Sequence, residues 1–333
     1  MATRRASRRA APVPATMKAA AIDRFGPPSV IRTRTVPVPE PGPNQLLIEV
    51  HAAGLGIWDA MIRQGVWADE DTEMPMVPGT DGAGIVAAKG SRVRRFEVGD
   101  RVYGYEFMSG RSGFCAEYVV VDATHAATLP RRLDFLHGGA LPVTGLTALQ
   151  GIDNFLDLRK GDTVLIVGAS GAVGTLAVQL ARRRGARVIA TASGRDAMAL
   201  VEHLGAEVVI DERKKDALNR LQEAAPDGID AALVLAGAKT LEAMLDEVRS
   251  GGRIAYPRGV EPEPKRRKKV RVERYDAVGN PREYEKLERA INEARLQVPI
   301  AATYPLAQAA RAHARIEKGH VLGRIAIQVR RGR

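Results

Sequence analysis

Two textures divide the chain. From Met17 to about Ala140, short apolar runs are cut by Gly and Pro, and "QLLIEVHAAGLG", "GAGIVAAKG", "DRVYGY" and "CAEYVVVDA" predict β-strands bounded by turns. From about Leu141 the pattern alternates between continuous apolar strands and helices. "TVLIV", "RVIAT", "AEVVID", "DAALVL" and "GRIAYP" read as strands; "AVGTLAVQLARRRG", "RDAMALVEHLG", "KDALNRLQEAA" and "TLEAMLDEVRS" read as helices. Strands apolar at every position have both faces covered, so these βα units predict a doubly wound parallel sheet. In the first helix Leu176, Val178, Leu180 and Ala181 face the core, and Arg182–Arg184 close the last turn, where cations suit the helix dipole. Helices near Arg282–Arg295 and Leu306–Lys318 and a strand "GRIAIQV" complete the pattern, while Glu261–Arg274 reads as a surface loop.

The 333 residues exceed one ordinary core, so two domains are expected. No window approaches the ~18–20 apolar residues of a membrane span. The single cysteine, Cys115, forbids an internal disulfide and fits a reducing compartment, taken as the cytoplasm. The formal charge of +11 is concentrated partly in the tail "MATRRASRRAAPVPAT" and partly in "KRRKK" at Lys265–Lys269. The tail has no apolar signal-peptide core. Its Arg-rich, acid-free composition fits a transit peptide, a start placed before Met17, or a disordered extension, and residues 1–16 are read as the last. With no nucleic-acid module and little aromatic interleaving, nucleic acid is not the expected partner.

The stretch "VLIVGASGAVG" carries the chemistry. It leaves a buried strand and opens a helix in the first βα unit of the parallel sheet, which is the context a dinucleotide site requires. Gly168, Gly171 and Gly174 let the backbone turn and let a pyrophosphate approach the N–H groups at the helix start; the Ser170 hydroxyl can donate to the same anion. Beyond the next strand, "RVIATASGRD" offers no carboxylate before Asp196 but has Ser193 and Arg195, donors suited to a 2′-phosphate, so NADPH is favoured over NADH. Ser193 also fits a helix cap paired with Asp196.

The stretches "MKAAAIDRFGPPSVI", "VPGTDGAGIV", "RRFEVGDRVYG", "GGALPVTGLTALQG", "GDTVLIVGASGAVG", "SGGRIAYP" and "YPLAQAARAHARIEKGHVLGRIAIQV" together resemble the medium-chain dehydrogenase/reductase superfamily. Within it they resemble the zinc-independent quinone oxidoreductases related to zeta-crystallin. The resemblance implies an α/β chain: a GroES-like β-rich catalytic domain over 17–140, a Rossmann-type NADP-binding domain over 141–280, and a return to the catalytic domain over 281–333. It places the active site in the cleft between the two and implies a homodimer. It carries cofactor contacts to Thr144, to Ser170, Gly171, Ala172 and Val173 with Gly168, Ala169 and Gly174 around them, to Leu235, Ala236 and Gly237, and to Pro257 and Gly259. Thr144 equally fits a cap of the helix that follows.

Metal-using members have Cys where Gly56 stands and His–Glu where Thr80–Asp81 stand. The one thiol has no CxxC partner and the six histidines form no HxH or HExxH group, so no zinc is expected. Asp59, Asp81 and His51 are the imaginable ligands, and Asp59 matches a residue kept with or without metal. Gly56 replaces the Asn of zinc-free relatives, Met61 and Trp67 stand where Tyr is common, and Glu212 stands where Tyr or His faces the adenosine. Gly56, Trp58, Met61 and Trp67 describe an apolar substrate pocket without a nameable general acid, although Trp58 equally fits ordinary core packing. The leading expectation is hydride transfer from NADPH to a quinone-type small electrophile. Two alternatives stay open: reduction of α,β-unsaturated carbonyls, where a positioned acid gains more, and a dinucleotide- and nucleic-acid-binding protein with little catalysis.

Overall fold

The computed structural model describes residues 12–67, 72–107 and 112–330, so residues 1–11 of the tail read as 1–16 lie outside the described residues, while its last residue, Thr16, already begins a strand. These residues form two units. One holds the chain up to Pro142, Thr303–Glu317 and the residues from Ala326; the other holds Val143–Ala302 and Lys318–Ile325. Among the described residues no helix is long and apolar enough to cross a membrane.

The first unit is built from the short strands that the Gly- and Pro-punctuated pattern predicts. They are β1 (Thr16–Ala21), β2 (Arg32–Pro37), β3 (Gln45–Leu55), β4 (Asp81–Lys89), β5 (Arg101–Tyr105), β6 (Tyr118–Asp122) and β7 (Ala126–Thr128). β1 pairs antiparallel with β2. β3 is the hub of the larger sheet, antiparallel to both β4 and β6, and the sheet continues through β5 to β7. Helix α1 (Ile57–Gln64) leaves the end of β3 at Gly56, and the short α2 (Phe135–Gly139) lies against β3 and β4. Gly139 permits that approach: a β-carbon there would sit 2.6 Å from the Ala52 carbonyl oxygen.

In the second unit α3 (Pro142–Gln150) leads into β8 (Thr163–Val167), α4 (Ala172–Arg183), β9 (Arg187–Thr191), α5 (Arg195–Leu204), β10 (Val208–Ile210), α6 (Ala217–Ala224), β11 (Ile229–Val234), α7 (Leu241–Leu245), β12 (Val248–Pro257), β13 (Arg271–Tyr275) and α8 (Pro281–Ala294). The strands align in the order β10-β9-β8-β11-β12-β13, and every neighbouring pair is parallel. The order reverses between β8 and β11, the point at which open α/β sheets take their ligands. β8 and β11 bury almost every residue, and α4 buries Leu176, Ala177, Val178, Leu180 and Ala181. Each such Val or Leu contributes about 1.5–3 kcal/mol of transfer free energy.

Three sequence expectations are corrected here. The surface loop expected over Glu261–Arg274 ends in β13, an edge strand whose Tyr275 hydroxyl donates to the Thr147 carbonyl at 2.9 Å. The helix expected over "TLEAMLDEVRS" stops at Leu245, because Val248 already pairs with Ile229 as the start of β12. The return to the first unit comes near Thr303 rather than at 281, because α8 packs on α4. After α8 the chain adds β14 (Ile300–Pro305), α9 (Ala309–Glu317) and β15 (Arg324–Gln328), which borders β3.

Within the first unit α1 packs on α9 around a buried cation. Arg63 is fully buried, donates from Nε to the Gly26 carbonyl at 2.9 Å and pairs with Glu317. His313 is fully buried nearby, with neither ring nitrogen hydrogen-bonded. Burial, with a smaller contribution from the Arg63 charge, pushes its pKa down to about 3. The unfolded chain, with His near 6.5, therefore binds the extra proton between these values, so stability is full above about pH 6.5 and falls as the pH drops towards 3. Replacing His313 with Leu should flatten that part of the acid-unfolding profile and leave its shape above pH 7 unchanged, as urea titrations across the range would show.

Candidate functional site

In the second unit the glycine loop stands at the switch point of the sheet. β8 ends at Val167 and α4 opens at Ala172 with Gly171 as its cap residue. The three glycines are required for different reasons. Gly168 adopts φ +80°, a left-handed conformation, and a β-carbon there would lie 2.9 Å from the Ala236 β-carbon. Gly174 lets the helix press on the turn, since a β-carbon would lie 2.5 Å from the Gly168 carbonyl oxygen and 2.6 Å from the Ala169 α-carbon. Gly171 meets only the Gly168 oxygen, at 3.5 Å, and leaves open space that a side chain would occupy. The first-turn N–H groups of α4 have no partner within the helix, so the loop offers donors beside an open cradle. A dinucleotide pyrophosphate fits it. Ser170, Gly171, Ala172 and Val173 are half-exposed here, whereas Ala169 and Gly174 are buried.

The neighbouring strand ends converge on this loop. The Leu235 N–H donates to the Val167 carbonyl at 3.0 Å, and Ala236 and Gly237 are exposed just beyond β11. A β-carbon on Gly237 would strike the Glu261 carbonyl oxygen at 2.2 Å, so the loop after β11 presses on the segment after β12, which follows the strand's last residue, Pro257, and holds Gly259. Thr144 is buried as the third residue of α3, so it does not cap that helix. A later segment fastens the glycine loop: the Gly323 N–H donates to the Ser170 carbonyl at 2.9 Å.

Beyond β9 the arrangement differs from the capping box read from sequence. Gly194, at φ +93°, is the cap residue of α5, and the Ser193 hydroxyl turns away from the helix. It lies 2.9 Å from an Asp211 carboxylate oxygen and 2.7 Å from one of Glu212, the two competing for its single proton. Arg195 is exposed in the first turn of α5, without an ion pair among the described residues. Arg213, which the sequence reading missed, pairs with Asp211 at 3.3 Å, and its guanidinium lies 3.7 Å from where a Gly194 β-carbon would be. The charge run "DERKK" directly after β10 was the available signal.

In the first unit the residues around the start of α1 form a second cluster. The Asp59 carboxylate is fully buried and held by two backbone donors, the Gly56 N–H at 2.7 Å and the Thr80 N–H at 3.0 Å. The Trp58 indole lies across Gly56, where a β-carbon would come within 2.4 Å of the ring, and its Nε1–H donates to the Thr80 hydroxyl at 2.6 Å. Met61 and Trp67 are half-exposed; Trp67 meets Phe107 at a ring distance of 6.0 Å rather than joining the Trp58 contact.

These side chains do not fit a catalytic zinc, which takes about three N, S or O ligands. Gly56 supplies none, Thr80 a neutral hydroxyl, and Asp59 is turned to two backbone donors, one on each oxygen. Burial, reinforced by Asp59 and Asp81, pushes the Cys115 thiol well above its usual pKa, away from the thiolate that a metal requires.

The packing separates two glycine substitutions. Gly174→Ala should lower stability by about 1–3 kcal/mol in denaturant titration. Gly171→Ala should leave stability nearly unchanged yet weaken dinucleotide binding about tenfold or more, read by fluorescence titration.

Comparison with known proteins places these features in a family. Residues 42–131 match the model "Alcohol dehydrogenase GroES-like domain" and residues 172–291 match "Zinc-binding dehydrogenase". A quinone oxidoreductase of Mus musculus is 30% identical over 317 residues, covering 91% of this chain and 95% of its own. The crystal structure of an NAD-dependent alcohol dehydrogenase, 30% identical, covers 94% of this chain and 100% of its own with a TM-score of 0.87. A mycobacterial protein complexed with NADPH, 28% identical, covers 94% and 100% with a TM-score of 0.82. The chain belongs to the medium-chain dehydrogenase/reductase superfamily, among the oxidoreductases that resemble quinone oxidoreductase.

Proposed function

We propose that this protein is an NADPH-dependent, zinc-free oxidoreductase that delivers hydride to a quinone-type acceptor. The observation that carries this reading is the first-unit cluster. Where a metal enzyme needs ligands, this chain has Gly56, a committed Asp59 and an indole resting on the backbone. A quinone asks little of such a site, because its ring stabilises the developing oxyanion. Quinone, NADPH and one proton become hydroquinone and NADP+; both electrons travel with the hydride, and the proton comes from water. The glycine loop and the first turn of α4 hold the pyrophosphate, with Ala236 and Gly237 beside the loop.

Arg195 and Arg213 support NADPH over NADH. They offset Asp211 and Glu212 and supply the charge-assisted donors that a 2′-phosphate takes. The likeness to a protein complexed with NADPH points the same way, while the NAD-dependent relative makes the comparison of cofactors the deciding measurement.

The test is absorbance-monitored oxidation of NADPH with a small ortho- or para-quinone, with and without chelator and with NADH in parallel. Chelator-insensitive turnover preferring NADPH is expected; loss with chelator or a preference for NADH would overturn the corresponding part. Arg195→Ala should raise the KM for NADPH about tenfold or more and leave that for NADH unchanged. Glu212→Gln should lower the KM for NADPH, because it removes a negative charge beside Ser193.

A further inference from the structure

The reading above names no group that meets the acceptor's oxygen, yet the first unit holds one in place. We propose that the Thr80 hydroxyl is the hydrogen-bond donor that receives a carbonyl oxygen of the acceptor, and that Trp58 is the positioning residue that aims it. The assignment rests on the acceptor being a carbonyl compound such as a quinone.

The hydrogen-bonding inventory fixes the direction of the contact. An indole N–H can only donate, whereas a threonine hydroxyl has one proton and two lone pairs. The 2.6 Å contact from Trp58 Nε1 to Thr80 Oγ1 therefore uses a lone pair and leaves the hydroxyl proton to be given elsewhere. Among the described residues Trp58 is the hydrogen-bonding neighbour of that hydroxyl. Accepting one hydrogen bond also polarises the O–H and makes it a better donor.

Neither partner is free to drift. Thr80 is 3% exposed; its N–H is held by Asp59 at 3.0 Å, and its carbonyl accepts from the Glu106 N–H at 2.8 Å. The indole is held by its contact with the backbone at Gly56, which any larger residue would block. Thr80 also lines a cavity of about 30 Å³ with Ile62, Met76, Val77 and Glu106, all in the same unit. That volume suits a single oxygen rather than a whole ligand. A donor fixed before the substrate arrives incurs little reorganisation at the moment of hydride transfer. The hydroxyl keeps its proton throughout, since the proton that completes the hydroquinone comes from water.

The experiment compares wild type, Thr80→Val, Thr80→Ser and Trp58→Phe with a series of para-quinones of increasing oxygen basicity, alongside dinucleotide affinity and thermal unfolding. Thr80→Val should lower kcat about tenfold or more with unchanged dinucleotide affinity, the loss growing as the quinone oxygen becomes more basic. Thr80→Ser should stay within about threefold of wild type, and Trp58→Phe, which keeps the ring and loses the N–H, should fall between. A role in structure alone would lower the melting temperature and slow every quinone equally, and that result overturns the proposal. Wild-type rates in Thr80→Val overturn it too. Should Thr80→Val fail to fold, undiminished turnover by folded Trp58→Phe overturns it. Quinone turnover by wild type with an indifferent Thr80→Val sinks this assignment alone, whereas no quinone turnover by wild type sinks the functional reading with it.

Discussion

The close approach of α4 to the end of β8 is the constraint on which the second unit depends. Gly174 sets the distance, because the helix rests on the Gly168 carbonyl and the Ala169 backbone with no side chain between. That proximity brings the first-turn N–H groups to the carboxyl end of the sheet, where the strand order reverses between β8 and β11, the point at which open α/β sheets take their ligands. Gly168 completes the geometry by turning through a left-handed conformation directly beside Ala236. Backbone placement, more than side-chain chemistry, is what suits this turn to an anion.

The first unit solves a different problem with one carboxylate. Asp59 ties the start of α1 to Thr80 through two backbone N–H groups, and so fixes Trp58 relative to the hydroxyl that it contacts. A buried carboxylate is costly unless its oxygens are satisfied, and here two backbone donors do so. The two bonds give Asp59 a task in holding this turn, one backbone donor on each oxygen.

Much of this was legible in the sequence, for physical reasons that also explain what was not. Strands buried on both faces are apolar throughout, so β8, β9 and β11 stood out, and the glycine loop was readable because its context is local. β13 was missed because it is an edge strand: only Val272 and Tyr275 are apolar, and Arg271, Glu273 and Arg274 give it the look of a solvated loop. α7 was overextended because its helical period runs on into residues that pair with β11 instead. The Ser193 hydroxyl was read against its nearest neighbours, yet it turns to carboxylates that follow the next parallel strand. Gly56 was legible as a departure from the family; that the Trp58 indole fills the vacated space was not, since it depends on a rotamer.

The bond from Gly323 to the Ser170 carbonyl has a consequence for how the protein comes into being. The strands and helices that frame the glycine loop are made long before Gly323, yet the loop's fastening waits for that late segment. A nascent chain released only as far as α8 would hold the strands of the parallel sheet without the bond that pins its glycine loop. Fastening of the glycine loop is thus tied to a contact of high sequence separation, whose closure entropy is met only after the sheet exists.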